Sequence, residues 1–241
     1  MATSMVDFAE QINPNTLAEV REAEFRQATR IHGSLLAPIE KRALVWMAEH
    51  MPDWVNSDHL TVLGFAAQIA AGVCYALAAR DRLMLLAAIV CLTVNWFGDS
   101  LDGTLARVRQ QPRPRYGFYV DHIIDSMGAV AMMGGLALSG YMHPAIAIGL
   151  LIAFLLLSIQ SYLATYTLGE FHLSFWHFGP TELRVLLAVG NLALFRWAWV
   201  IHGRYRLFDV GGAIGLGVML LMFVVVTLKN TVRLYREERI R

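Results

Sequence analysis

The sequence has little charge for its length. Of its 241 residues, 16% are charged and 56% are hydrophobic, whereas a soluble domain carries about 25% charged residues. The mean hydropathy of +0.48 therefore indicates a membrane protein rather than one or two soluble domains. The formal net charge of +1 provides no global field that would recruit nucleic acid, so we expect no nucleic-acid partner.

Cysteine and lysine are also scarce. Cys74 and Cys91 both fall inside apolar runs, which predicts small core residues and not a disulfide or a metal site. Lysine occurs only at Lys41 and Lys229, beside 18 arginines. Guanidinium groups suit two-point contacts to phosphate, although codon usage accounts for the bias equally well. The first 30 residues contain no apolar core, so we expect no secretory signal peptide.

Six apolar stretches are long enough to cross a bilayer, which takes about 20 residues each. They predict an all-α integral membrane protein with six transmembrane helices. The second and third stretches contain aspartates and are included because their flanks are apolar. We expect a membrane domain over residues 56–241, with spans at Leu60–Ala79, Leu83–Arg107, Tyr116–Met142, Pro144–Leu168, Thr181–Ile201 and Val210–Val232.

Residues 1–55 form a different region, predicted to be helical and cytoplasmic or interfacial. Residues 15–30 are polar and helix-prone, and "LLAPIEKRALVWMAEHM" (35–51) alternates apolar and charged residues at helical spacing. Pro38 suits the first turn of a helix whose apolar side begins at Leu44. This amphipathic helix is expected to lie in the membrane interface. The alternative is that it packs against the cytoplasmic ends of the spans.

The basic residues predict the orientation of the spans. If both termini are cytoplasmic, 15 of the 20 lysines and arginines lie on the cytoplasmic side. Such an excess is typical of cytoplasmic loops. The aspartates would then lie near the cytoplasmic ends of the second and third spans.

Four aspartates stand out in this apolar sequence. Asp99 and Asp102 are three residues apart, and Asp121 and Asp125 are four apart, so each pair shares a helix face. A short loop makes the two helices antiparallel neighbours, which allows the pairs to converge. Buried carboxylates repel one another, and Mg²⁺ or Mn²⁺ in a two-metal centre would resolve that repulsion. The alternative is a helix pair that faces a water-filled vestibule.

Small and basic residues lie between the two pairs. Gly103 and Ala106 leave space beside the carboxylates for a phosphate or a sugar. Arg107 offers a forked cation for phosphate oxygens. Gly117 lies four residues before Asp121, on the same face. Together these residues predict a pyrophosphate site rather than a proton channel.

The whole pattern resembles the signature of the CDP-alcohol phosphotransferase (CDP-alcohol phosphatidyltransferase) family, whose members are six-span membrane enzymes, usually homodimeric, that make phospholipid head groups. The family usually has eight residues between the arginine and the second glycine, often with a serine or threonine. Here "VRQQPRPRY" has nine and neither hydroxyl residue, so Arg113 or Arg115 is a candidate replacement. The pattern reads Asp99-x2-Asp102-Gly103-x2-Ala106-Arg107-x9-Gly117-x3-Asp121-x3-Asp125.

The resemblance implies a role for each residue. Asp99, Asp102 and Asp121 would hold two Mg²⁺ or Mn²⁺ ions, and Asp125 would complete the site and act as general base. The residues implied to bind the CDP part of the donor are Gly103, Ala106, Arg107 and Gly117. The implied reaction transfers a substituted phosphate from a CDP-linked donor to an alcohol acceptor, with release of CMP.

The start of the first span carries a weaker resemblance. "NSDHLTVLG" is similar to the family's Pro-Asn-x-x-Thr element, which helps to hold the nucleotide. Asp58 and Thr61 take its Asn and Thr positions, and Ser57 replaces the proline. The alternative is that Asp58 is an ordinary helix N-cap.

The sequence does not decide the identity of the CDP-linked donor or of the alcohol acceptor. "VDHIIDS" and "LSFWHFGPTELRVLL" resemble the choline and ethanolamine branch of the family, whereas the short chain is like bacterial members. The donor is therefore CDP-diacylglycerol or a CDP-amino alcohol, and the expected location is a bacterial inner membrane. His122 either packs or meets the acceptor, and Glu182 either meets it or completes a helix end. The candidate acceptor contacts are Glu182, Arg113, Arg115 and His122.

Two other classes of protein also place acidic residues in a membrane. A prenyltransferase binds diphosphate through Asp-rich motifs and Mg²⁺, typically with two separate motifs and more spans. A non-catalytic transporter would explain buried acids but not the Gly-x-x-Ala-Arg sequence.

Overall fold

The computed structural model describes residues 29–31, 37–172, 180–200 and 203–239. This part of the chain contains seven helices and two small sheets, which confirms the helical class. We number the helices α1 (Ala37–Glu49), α2 (Ser57–Ala78), α3 (Met84–Val108), α4 (Pro114–Leu138), α5 (Pro144–Leu168), α6 (Pro180–Arg196) and α7 (Leu207–Glu237).

Each of the two sheets is a single pair of strands of two or three residues. Strand β1 (Thr29–Ile31) pairs in parallel with β2 (Glu170–His172). Strand β3 (Trp199–Val200) pairs antiparallel with β4 (Tyr205–Arg206). Most of the helix-prone stretch predicted over 15–30 lies outside the described residues, and its last two residues belong to β1.

Helices α2 to α7 occupy the places of the six predicted spans. Four of them, α2, α3, α5 and α7, are long and apolar enough to cross a membrane, which supports an integral membrane protein. The count of six stays a prediction, because α4 carries two aspartates and α6 has only 17 residues. Helix α6 ends at Arg196 and not at Ile201, because the chain turns into the β3–β4 pair.

Close backbone approaches hold α2 against α3 and α4. A Cβ atom on Gly98 of α3 would lie 2.5 Å from the Leu60 carbonyl oxygen and 2.6 Å from the Gly64 nitrogen of α2. A Cβ atom on Gly135 of α4 would lie 2.0 Å from the Gly72 carbonyl oxygen. Small residues at such crossings let helices in a membrane pack backbone to backbone. This packing sets the spacing of the two aspartate-bearing helices.

Gly135→Ala is expected to destabilise the protein, whereas Gly134→Ala is not. The new methyl group at 135 meets the backbone of α2, which cannot rotate away, and overpacking of this kind costs about 1–3 kcal/mol. A Cβ atom on Gly134 meets no described residue within 4 Å, and alanine favours the helix. Thermal unfolding of both variants in detergent checks this pair. Equal unfolding temperatures would contradict the close crossing.

Helix α1 packs on α3. Its buried side chains Leu44 and Ala48 share an apolar cluster with Leu101 and Leu105 of α3. The other side is open, and Trp46 is 61% exposed. This arrangement supports the predicted alternative in which the helix packs against the ends of the spans. Its location in the membrane interface stays a prediction.

Helix α3 ends in a Schellman turn directly after the predicted donor-binding residues. The N–H of Gln111 donates to the Ala106 carbonyl (2.9 Å), and the N–H of Gln110 donates to the Arg107 carbonyl (3.1 Å). Gln110 has a φ of 56°, as this turn requires. The turn satisfies the last carbonyl groups of the helix and sends the chain back toward α2.

Arg109, the C-cap residue of this turn, ties the helix end to the segment between α1 and α2. Within the described part of the chain its guanidinium donates to backbone carbonyl groups, and a planar fork with five N–H donors suits that task. The segment that leads into α2 is thereby fixed against the end of α3. The four acceptors are the carbonyl oxygens of Met51, Pro52, Asp53 and Val55.

Candidate metal centre

Three of the four aspartates meet between α3 and α4. One carboxylate oxygen each of Asp99, Asp121 and Asp125 can be chosen so that all lie within 4.8 Å of one another. All three residues are partly buried. Carboxylates of both helices therefore meet at one point, as predicted, but α3 and α4 each pack mainly on α2 and not on each other.

The four aspartates line one small cavity, but Asp102 is not in the group of three. The Thr61 hydroxyl donates to Asp102 Oδ2 at 2.7 Å, and the Gly103 N–H donates to Oδ1. Thr61 was predicted to help hold the nucleotide. The observed contact places it beside the predicted metal ligand Asp102.

Arg184 of α6, a third helix, contacts one member of the group of three aspartates. Its Nη2 donates to Asp99 Oδ2 at 2.5 Å and its Nε donates to Asn95 Oδ1 at 2.8 Å. The Asn95 amide in turn donates to the Gly64 carbonyl at 3.0 Å. The Arg184 side chain is only 14% exposed, so this ion pair is poorly screened by water.

The contacts that Arg184 and Asn95 make at the cluster were not predicted from the sequence. Both left a signal. Asn95 lies one turn before Asp99 on the same helix face, and an arginine inside an apolar helix marks a functional position by default. The pairing itself joins residues 85 positions apart, which spacing within one helix does not reveal.

The residues of the cluster fit a divalent cation. Asp99, Asp121 and Asp125 supply three carboxylates, and Arg184 provides one positive charge at Asp99. One guanidinium leaves the group of three net negative when all are ionised. Clustered carboxylate oxygens are the hard ligands that Mg²⁺ and Mn²⁺ prefer.

A second cavity, of about 400 Å³, lies at the ends of α2 and α3. Asp58, Ala106 and Arg113 contribute to its walls, so three predicted substrate contacts share one space. Asp58 and Arg113 form an ion pair, and the Arg113 guanidinium lies 4.4 Å from the centre of the Tyr116 ring. The hydrogen bond to Asp58 raises the pKa of Arg113 above its ordinary value. A role of this cavity in binding the nucleotide stays a prediction.

The alternative role of Asp58 as N-cap is wrong. Asn56 caps α2: its side chain accepts from the His59 N–H at 3.0 Å, and the Asn56 N–H donates to His59 Nδ1 at 3.3 Å. This reciprocal pair occupies the cap position two residues earlier than expected. Asp58 lies in the first turn, where its carboxylate faces Arg113.

Gly103 leaves open space beside Asp102. Among the described residues, a Cβ atom there would meet only Arg107 Nη1, at 3.5 Å, so packing against the described helices does not require this glycine. Arg107 donates from Nη2 to the Thr104 hydroxyl at 3.1 Å. Gly117 lies in the first turn of α4, where an added Cβ would meet nothing within 4 Å in the part of the chain that the structure describes.

Of the predicted acceptor contacts, His122 is packed. Its ring lies 4.2 Å from that of Phe118 and 4.8 Å from that of Tyr162. Its Nδ1 is 2.6 Å from the Phe118 carbonyl oxygen and 3.8 Å from Asp121 Oδ2. The geometry supports the packing interpretation, in which His122 lies beside the cluster.

The other two candidates lie at the beginnings of helices. Glu182 is partly buried in the first turn of α6, two residues before Arg184. Arg115 is exposed in the first turn of α4. Their contact with an acceptor stays a prediction.

The chain matches the family model for CDP-alcohol phosphatidyltransferase over residues 54–229. The match covers α2 to α6 and most of α7, and it includes all four aspartates. The family consists of membrane phosphotransferases of phospholipid synthesis. With most of its length matched and three of the motif's carboxylates gathered at one point, the chain belongs to the CDP-alcohol phosphatidyltransferase family.

Proposed function

We propose that the protein transfers a substituted phosphate from a CDP-linked donor to an alcohol and releases CMP. The observation that carries this proposal is the convergence of Asp99, Asp121 and Asp125 in a chain of this family. Family membership favours phosphotransfer over the prenyl transfer and the transport that the sequence alone left open.

The aspartates are the ligands of two divalent ions, Mg²⁺ or Mn²⁺, in this proposal. Asp99, Asp121 and Asp125 form one group, and Asp102 is the further ligand on the same cavity. Bound cations supply charge neutralisation for the pyrophosphate and for the departing CMP. Thr61 orients Asp102 and Arg184 orients Asp99 through the hydrogen bonds described above. Partners of this kind hold ligating carboxylates in position.

The bond changes balance without a further reactant. The acceptor hydroxyl oxygen forms a bond to the phosphorus that carries the transferred group, and the bond from that phosphorus to the CMP oxygen breaks. Asp125 accepts the hydroxyl proton as general base. Gly103, Arg107 and Gly117 contact the CDP part, and Asp58, Ala106 and Arg113 line its cavity.

Several finer assignments belong to the same proposal. The donor is CDP-diacylglycerol or a CDP-amino alcohol, and Glu182, Arg113, Arg115 and His122 are the acceptor-side candidates. We further propose six spans, both termini in the cytoplasm, a homodimer and a bacterial inner-membrane location. The division at residue 55 between the N-terminal segment and the membrane domain stays a prediction.

Transfer is expected to depend fully on a divalent cation. In proteoliposomes, labelled CDP-linked donors and a set of alcohols should give CMP release that chelation abolishes. Mg²⁺ or Mn²⁺ should restore it, because without a cation the carboxylates repel the donor pyrophosphate. Prenyl diphosphates serve as the control donor. Full CMP release after exhaustive chelation would contradict the metal centre, and transfer only from prenyl diphosphates would contradict the proposed function.

A further inference from the structure

Helix α1 contributes one carboxylate to the surroundings of the cluster. Glu40 Oε1 accepts a hydrogen bond from Trp96 Nε1 at 2.7 Å and from the Thr181 hydroxyl at 2.9 Å. The Ser100 hydroxyl is a third, longer donor at 3.4 Å. Glu40 is partly buried, and its donors come from two different helices, α3 and α6.

These contacts lie directly beside the Arg184–Asp99 ion pair. Trp96 and Ser100 flank Asp99 in the sequence of α3, three residues before it and one after it. Thr181 lies three residues before Arg184 in α6, so the two side chains are neighbours on that helix. Glu40 therefore bridges α3 and α6 next to the point where Arg184 meets Asp99.

Thr181 lies in the first turn of α6, far from the fully buried side chains of this helix. The buried residues of α6 are Asn191 and Leu194, near its opposite end. From Arg184 to Leu194 the helix extends about 15 Å, at a rise of about 1.5 Å per residue. A contact at Thr181 therefore controls the end of α6 that carries Arg184 far more directly than the apolar packing at Leu194 does.

We propose that Glu40 is a positioning residue for the aspartate cluster. It holds the first turn of α6 against α3, so that Arg184 meets Asp99 and fixes the orientation of that carboxylate. The proposal rests on the proposed function only in taking the cluster as the catalytic site. It gives α1 a part in the active site, although α1 lies before the first residue of the family match.

The chemistry of the contact predicts which substitutions are tolerated. All three partners donate, so the position needs an acceptor oxygen more than it needs a negative charge. Glu40→Gln keeps a carbonyl oxygen of the same reach, whereas Glu40→Ala removes it. Thr181→Val removes the same contact from the α6 side. Glu49 is exposed at the end of α1, so Glu49→Ala is the matched control on the same helix.

The first test measures amide hydrogen exchange of residues 181–186 in nanodiscs, which needs no activity. Glu40→Ala and Thr181→Val should exchange faster than the wild type in this turn, because its anchor is lost. Glu40→Gln and Glu49→Ala should exchange at the wild-type rate. Unchanged exchange in both Glu40→Ala and Thr181→Val would overturn the proposal, and Thr181→Val decides it if Glu40→Ala does not fold.

The second test is a double-mutant cycle on CMP release with Arg184→Lys, which keeps the charge but not the two-point contact. Glu40→Ala alone should lower turnover about ten-fold, which corresponds to about 1.4 kcal/mol, because the Thr181 end of α6 loses its anchor. Glu40→Gln should retain most of the turnover. In the Arg184→Lys background Glu40→Ala should cost little more, since both changes act on one contact.

The outcomes of the two tests separate the two proposals. Additive effects of Glu40→Ala and Arg184→Lys would mean that Glu40 does not act through Arg184, which overturns its positioning role. A wild-type protein that releases no CMP from any CDP-linked donor would overturn the proposed function. In that case hydrogen exchange still decides whether Glu40 holds α6.

Discussion

Asp121→Asn should reduce CMP release at least about a thousand-fold while the protein stays folded and inserted. Asp121 belongs to the group of three carboxylates that meet between α3 and α4, and an amide is a neutral and weaker ligand for a hard cation. Without metal the substitution removes one of several mutually repelling charges. The unfolding temperature of the metal-free variant should therefore equal or exceed that of the wild type.

The matched control for this change is Asp53→Asn, which alters an exposed aspartate in the segment before α2. Its turnover and unfolding temperature should stay at the wild-type values. Turnover of Asp121→Asn within a few-fold of the wild type would mean that Asp121 is not a metal ligand. A large fall in its unfolding temperature would mean that the carboxylate is structural.

Asp125→Asn should lower turnover by about a hundred-fold or more and leave donor binding largely intact. Asp125 lies one helical turn beyond Asp121, about 6 Å further along the axis, so it can face the acceptor side of the phosphorus. An asparagine of the same shape can still line the cavity but cannot accept the hydroxyl proton. Turnover and the affinity for a non-reactive CDP-linked analogue, both measured in proteoliposomes, give the two values needed.

The comparison with Asp102→Asn separates two roles for Asp125. Asp102 lies outside the group of three and is oriented by Thr61, whereas Asp125 lies within the group. If Asp125→Asn loses donor binding as completely as Asp102→Asn, Asp125 is chiefly a metal ligand. The general base would then have to be another residue, and Glu182 is the next candidate.

The sequence alone predicted correctly the features that depend on the residues of a single helix. The limits of α5 were predicted as Pro144–Leu168, as the structure has them, because a proline begins a mainly apolar run that contains no charged residue. The spacing of Asp99 to Asp102 and of Asp121 to Asp125 places each pair on one face. That the two pairs converge depends on α2, on which both α3 and α4 pack.

The sequence alone did not predict contacts between segments that lie far apart in the chain. Gly134 and Gly135 are equivalent in the sequence, but only Gly135 meets the backbone of α2. Asp58 has the chemistry of an N-cap, yet the reciprocal hydrogen bonds of Asn56 and His59 fix the helix start. The partner of Arg184 depends on where α6 crosses α3, which no local pattern encodes.

The Arg109 contact has a consequence for how this protein can diverge. Its acceptors are main-chain oxygens of residues 51–55, and every amino acid offers a carbonyl oxygen. Selection on this contact therefore acts on the path of the chain and leaves most side chains of the segment free to drift. A chain path that is kept while its side chains change cannot be seen in a comparison of residue identities. The family match begins at residue 54, within that segment.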